Sequence, residues 1–175
     1  MLWFGILGLV LLAPAGLWPA TPSKAAPEAY RLRFYHLHTN EHLDIVYRRG
    51  DEYDAKALVE LNHFLRDHRT GEVADYDPRV FDLLHDLTAA VGRPDEEINV
   101  VCGYRTPWSN EYLRHHGHGV AEHSLHMKAM AIDIRMPGIA TARVRDAALG
   151  LRQGGVGYYR ASDFVHVDVG RVRRW

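Results

Sequence analysis

The sequence predicts an α+β fold, with helices packed on a mostly antiparallel sheet. Two apolar stripes at helical spacing lie between residues 54 and 91, and short runs of branched and aromatic residues follow at 98–104, 131–135, 156–159 and 164–169. The regular strand–helix alternation of a parallel sheet is missing, which removes the doubly wound alternative.

Taken in order, Arg31 to His36 and Leu43 to Tyr47 read as a hairpin around Thr39-Asn40-Glu41. Asp54 then caps a helix carrying Ala57, Leu58, Leu61, Phe64 and Leu65, which Thr70-Gly71 breaks. Asp77-Pro78 starts a second helix, with Val80, Phe81, Leu84 and Leu87 on one stripe and Gly92 and Pro94 at its end. Ile98 to Tyr104 reads as a strand and Pro107 to Leu113 as a short helix. A His- and Gly-rich loop then holds His115, His116, His118 and His123. Strands at 131–135, 156–159 and 164–169 close the chain, with a helix from Thr141 to Leu151 between the first two.

The N-terminus is of another kind. Leu2 to Leu12 is almost wholly apolar and is followed by Pro14, Gly16, Pro19 and Pro22, so residues 1–25 are expected to be a signal peptide, cleaved after Ala25, or an N-terminal membrane anchor. Residues 26–30 are then a linker and 31–175 one domain. Lys+Arg 21 against Asp+Glu 22 leaves a formal charge of -1 with basic residues scattered, which argues against nucleic-acid binding. Export would place the single Cys102 in an oxidising compartment without an intramolecular partner, and its apolar neighbours make it a buried core thiol rather than a nucleophile. Oligomeric state leaves no mark on the sequence.

With one Cys and 12 His, a metal site would have to be built from imidazole and carboxylate. In strand 131–135, alternation puts Ala131, Asp133 and Arg135 on one face. In strand 164–169 it puts Phe164, His166 and Asp168 on one face and Val165, Val167 and Val169 on the other. Two imidazoles, one of them His166, with the carboxylate of Asp133 would fill three corners of a zinc tetrahedron and leave the fourth for water, as in catalytic sites. Taken singly, each has a plainer role, His166 as a satisfied core histidine and Asp133 as a partner for Arg135. The histidines at 115–123 lie in a loop without fixed geometry and are not expected to hold a metal of their own.

The segment Ser124-Leu125-His126-Met127-Lys128-Ala129-Met130-Ala131-Ile132-Asp133 resembles the S-x-H-x-x-G-x-A-x-D signature of the zinc D-Ala-D-Ala carboxypeptidase and dipeptidase family, and Gly103-Tyr104-Arg105-Thr106 resembles its G-Y-R-[ST] element. Arg31 to Trp175 is similar throughout to the YcbK-like exported murein endopeptidases. The matching stretches include His38-Thr39, Leu65-Arg66-Asp67, the run Gly154 to Tyr159 and the run Phe164 to Gly170. The resemblance implies the fold of lysostaphin-type enzymes, D-Ala-D-Ala peptidases and the Sonic hedgehog domain, with one zinc on the sheet held by His126, Asp133 and His166. It implies Arg105 at the substrate carbonyl and Asp163, three residues before the last ligand, as general base. Asp168 is the other carboxylate, as base or as orienter of His166. Strict alternation puts Asp163 and His166 on opposite faces, so Asp163 serves only if the strand starts irregularly. Two departures stand out: Ala129 where the signature has Gly, and Cys102 where a small residue, often Ser, is usual.

The expected function is zinc-dependent hydrolysis of peptidoglycan cross-links or stem peptides in the periplasm or cell envelope. The alternatives are a non-catalytic zinc-stabilised cell-wall binding module and, more remotely, a cysteine hydrolase using Cys102. Endopeptidase and carboxypeptidase action are not separated by these residues; His36, His38 and Glu41 either border a cleft or serve the hairpin structurally, and no direct catalytic role is expected of them.

Overall fold

The structure, a computed structural model, describes residues 27–117 and 120–175. The expected leader or anchor and His118 lie outside the described residues.

The chain opens with the expected hairpin, β1 (Ala29–His36) and β2 (His42–Arg49), closed by a bond from the His36 N–H to the Glu41 carbonyl at 2.9 Å. Asn40 sits in the left-handed region at φ 59°, a conformation Asn tolerates better than most residues. A two-residue strand β3 (Glu52–Tyr53) leads into α1 (Ala55–Phe64), where the Asp54 carboxylate accepts the N–H groups of Lys56 and Ala57. Helix α2 (Arg79–Ala90) follows, with Asp77 accepting the Arg79 N–H at 3.1 Å. Then come β4 (Glu97–Cys102), α3 (Pro107–His116), a 3₁₀ turn (Leu125–Lys128), β5 (Ala131–Arg135), α4 (Thr141–Leu151), β6 (Gly155–Tyr159), β7 (Phe164–Asp168) and β8 (Arg173–Arg174).

The strands form one sheet in the order β3-β2-β1-β4-β5-β7-β6-β8. It is mostly antiparallel, as expected, but β1 with β4 and β6 with β8 run parallel. One face is apolar: Phe34 is paired with Ile98, Val100 with Ile134 and Ile132 with Val167, all fully buried with α2 and α4 packed on that side. The three-residue differences from the sequence reading have local causes. α3 runs to His116 rather than ending at Leu113, because His115 meets Glu111 one turn back at 2.8 Å and the His116 ring meets the Tyr112 carbonyl at 2.7 Å. β3 and β8 have two residues each, too few to show any periodicity.

A β-bulge decides which residues of β4 reach the other face. Val100 pairs with Ile134, but Cys102 pairs with Asp133, so Val101 is the inserted residue. Cys102 therefore shares the face of Asp133, although Val100, two positions earlier, points into the core. Beyond the bulge, Gly103 presses on the end of the α1 segment. The Tyr104 N–H donates to the Leu65 carbonyl at 2.8 Å, and a Cβ on Gly103 would stand 2.5 Å from that oxygen. Gly103→Ala is expected to cost about 1–3 kcal/mol in denaturant unfolding, the scale of forced overpacking.

Candidate metal centre

Three separate elements deliver the site. Asp133 and His166 are directly opposed in the β5–β7 ladder, so the sheet register alone sets them side by side. His126 comes from the 3₁₀ turn, which Ser124 caps by accepting the His126 N–H at 3.3 Å. The turn ends on Ala129 at φ 50°, the position where Gly is usual, and its carbonyl is held by the Asp77 N–H at 3.0 Å.

The side chains are 2, 6 and 7 % exposed for His126, Asp133 and His166, and they converge on one point. His126 Nε2 lies 3.2 Å from Asp133 Oδ1 and 3.1 Å from His166 Nδ1, and His166 Nδ1 lies 2.9 Å from Asp133 Oδ1. Their other ring nitrogens fix the tautomers. His126 Nδ1 meets the Gly103 carbonyl at 2.7 Å, which can only accept, so Nδ1 carries the hydrogen. His166 Nε2 meets Asp168 Oδ2 at 3.1 Å and donates to it. In the neutral rings, His126 Nε2 and His166 Nδ1 are then bare lone pairs aimed at each other and at a carboxylate oxygen. That arrangement needs a cation at its centre. A tetrahedron with bonds of 2.0–2.1 Å has edges of about 3.3 Å, close to the three separations found.

Without a metal, a proton does part of this work. Burial disfavours a charged His126 ring, but the neighbouring Asp133 and Cys102 outweigh it and hold the group up to about 10. Asp133 is pulled well below the usual carboxylate range by His126 and then His166, against its burial.

Cys102 Sγ also lies within 4.8 Å of the ligand atoms of His126 and Asp133. The His126–Asp133–His166 set is the tighter one and has its hydrogens turned away from the centre, whereas the thiol is occupied with the Arg105 Nη2, 3.5 Å away. Cys102 is buried, as expected. Burial pushes the thiol up, but His126, brought in by the fold, and Arg105, three residues along, draw it below its ordinary value.

Arg105 stands beside the ligands, with Nη1 donating to Asn110 Oδ1 at 3.2 Å and Nη2 3.8 Å from Asp133 Oδ2. Its Nε is buried without a partner among the described residues. Asp168 is fully buried and saturated. It accepts from His166, from the N–H groups of Gly155 and Gly170 at 3.1 and 2.9 Å, and from both Arg173 nitrogens at 3.0 and 2.8 Å. Asp168 therefore orients His166.

The strand does start irregularly, as the role of Asp163 demands, since this residue has φ 53° and β7 begins at Phe164. Yet its carboxylate accepts the Thr141 hydroxyl at the start of α4, is exposed, and stands outside the cleft lining.

The centre lies in a cleft of about 520 Å³. His38 lines it, whereas His36 is buried beneath the hairpin turn and Glu41 is paired with Arg66 at 3.0 Å. His68, Arg69, Tyr159 and Trp175 also line it. Sequence reasoning passed over these four; Asp67 in the Leu65-Arg66-Asp67 element was the one available signal for the first two. Of the histidines at 115–123, those in the described residues make no metal cluster, and only His123 reaches the cleft.

The family described as peptidoglycan L,D-endopeptidase MepK matches residues 24–175. The chain belongs to this family. It is 39% identical over 97% of its length, and 93% of theirs, to the peptidoglycan L,D-endopeptidases MepK of Escherichia coli K12 and Shigella flexneri. It is 37% identical to the probable MepK of Haemophilus influenzae, with 86% of this chain and 81% of that one covered. No solved structure matches the chain. Membership of the MepK family agrees with the resemblance seen in the signature residues and with the α+β sheet that carries them.

The protein is expected to bind about one zinc per chain by elemental analysis, and His126→Ala, Asp133→Ala or His166→Ala to lose it. Asp168→Asn should weaken zinc affinity by about 10–100-fold, the usual cost of losing a ligand's orienting partner. Since the metal replaces a proton, its uptake should release protons and weaken as pH falls. Full zinc occupancy in all four variants would remove the site.

Proposed function

We propose that this protein is an exported zinc metallopeptidase that hydrolyses peptide bonds in peptidoglycan, as an endopeptidase. The convergence of three lone pairs from His126, Asp133 and His166 is the observation that carries the reading. The relatives, named as peptidoglycan L,D-endopeptidases, supply the substrate class and the endopeptidase sense. Residues 1–25 as a signal peptide or anchor would place the domain at 31–175 in the periplasm or cell envelope, where that substrate is.

His126, Asp133 and His166 would hold the zinc, which when bound would supply a Lewis acid able to make a water acidic near neutral pH and to polarise a peptide carbonyl. The chain does the rest. Arg105 lines the cleft beside the ligands and is fixed by Asn110, so it can meet the oxyanion that develops as the carbonyl is attacked, with no reorganisation. Asp168 keeps His166 in one tautomer and cannot take up a proton without breaking with Arg173. Asp163 has a single hydroxyl partner and is exposed, so it is the carboxylate able to change partners. We assign it the water's proton, on condition that it leaves Thr141 when substrate binds.

The site's chemistry also suits a zinc-stabilised binding module, and the variants separate the two. Arg105→Ala is expected to keep zinc and lose about 10²-fold or more in cleavage of muropeptide dimers. Asp163→Asn is expected to keep zinc and lose about 10²–10⁴-fold, while Thr141→Val loses nothing. An undiminished rate in Asp163→Asn passes the proton to another cleft group. Wild-type protein that binds zinc and peptidoglycan yet releases no fragments is a binding module.

A further inference from the structure

The cleft has a charge pattern that the centre does not account for. Among the described residues lining it, Asp133 is the only acidic side chain, against Arg69, Arg105 and Arg173. Arg173 is committed to Asp168, and Arg105, held by Asn110 beside the metal ligands, is already assigned to the oxyanion. Arg69 is exposed and makes no ion pair among the described residues.

Its backbone is nonetheless held in place. The Arg69 N–H donates to Asp67 Oδ1 at 2.9 Å, while Asp67 Oδ2 accepts both the N–H and the hydroxyl of Thr106 at 2.8 Å. Thr106 is the cap of α3 and the neighbour of Arg105. The buried Asp67 thus ties the backbone that carries Arg69 to the backbone that carries Arg105, and the loop is closed on itself by a bond from the Asp67 N–H to the Glu72 carbonyl.

Beside Arg69, the rings of His38 and His68 stack with centroids 4.0 Å apart and planes 8° off parallel, and His36 meets both edge-on from beneath. Two rings stacked this closely are most stable uncharged. Burial, then His38 and Arg69, lower His68 to about 4, and burial, then Arg69, lower His38. The wall is therefore a flat, neutral imidazole surface next to one unpaired guanidinium. The strand order puts His38, just after β1, on one side of the metal ligands, and Tyr159 and Trp175, at β6 and β8, on the other; His68, from the loop after α1, stacks on His38.

We infer that Arg69, flanked by the stacked rings of His38 and His68, is a binding subsite for a free carboxylate of the peptide substrate, and that it selects peptides carrying one near the scissile bond. This rests on the peptidase reading of the same cleft. A guanidinium fork matches a carboxylate in two parallel hydrogen bonds, and the imidazole surface excludes water from one side of the pair.

The test compares a muropeptide dimer bearing free carboxylates with the same dimer amidated. The wild-type protein is expected to favour the free form by about 10–100-fold in kcat/KM, mainly through KM, the range for a hydrogen-bonded charge. In Arg69→Ala that ratio should fall below about 3, and Arg69→Lys should restore part of it. Because both substrates meet the same variant, a general loss of folding cancels from the ratio. Trp175→Ala, on the opposite wall, should leave the ratio as it is. A wild-type ratio near one, or a ratio unchanged in Arg69→Ala, overturns the subsite. If the wild-type protein cleaves neither dimer, the peptidase reading fails, and the two dimers' dissociation constants for wild type and Arg69→Ala decide the subsite on their own.

Discussion

Mutual repulsion among three lone pairs governs this molecule. His126 Nε2, Asp133 Oδ1 and His166 Nδ1 are held within 3.2 Å of one another in a nearly dry setting, where such an arrangement is tolerable only around positive charge. The rest of the fold can be understood as what forces the three together. The β5–β7 register supplies two of them at no extra cost. The third has to be brought across by the capped turn at 125–128, and its ring is held there by the Gly103 carbonyl, which lies just past the bulge in β4. The bulge thus serves the site twice, turning Cys102 to the metal side and aiming the carbonyl that sets the His126 tautomer.

Support for His166 depends on close backbone approach. A Cβ at Gly154 would stand 1.7 Å from the Asp168 carbonyl oxygen, so β6 can lie against the Asp168 cradle only with glycine there. Ala129 shows the opposite economy. At φ 50° it carries the strain of about 1–2 kcal/mol that an L-residue meets in the left-handed region. Its burial and the bond from Asp77 to its carbonyl keep the turn in that conformation without glycine's freedom. The departure from the usual signature therefore changes the cost of the His126 turn and leaves its geometry in place.

Much of this was legible in the sequence where periodicity reports directly on environment. The alternation in 131–135 and 164–169 placed Asp133, His166 and Asp168 on one face, and the hairpin and the Asp54 cap followed from turn and cap chemistry. His126 had no such pattern, since a four-residue 3₁₀ turn has no periodicity, and only resemblance to a family signature singled it out. The surroundings of Cys102 were illegible because a bulge breaks the alternation that would place it. His68 and Arg69 follow the first helix and look like ordinary solvated residues. What puts them in the cleft is Asp67, whose partner Thr106 is 39 residues away.

The two carboxylates of the last strand show why distance along the chain is a poor guide to role. Asp163 and Asp168 lie three residues before and two after His166. Asp168 is fully buried, so every lone pair must find a donor, and five donors from three segments answer it. A carboxylate bound so completely is a structural anion, fixed in charge and position, and can serve chemistry only through the ring it holds. Asp163 lies where the strand has not yet begun, in water, with one neutral partner. Little is lost when it exchanges that partner, and that freedom is what a proton acceptor needs and a ligand's orienter must not have. Burial therefore separates the two: the dry carboxylate is fixed against His166, and the wet one, proposed above as the proton acceptor, is the one able to exchange partners.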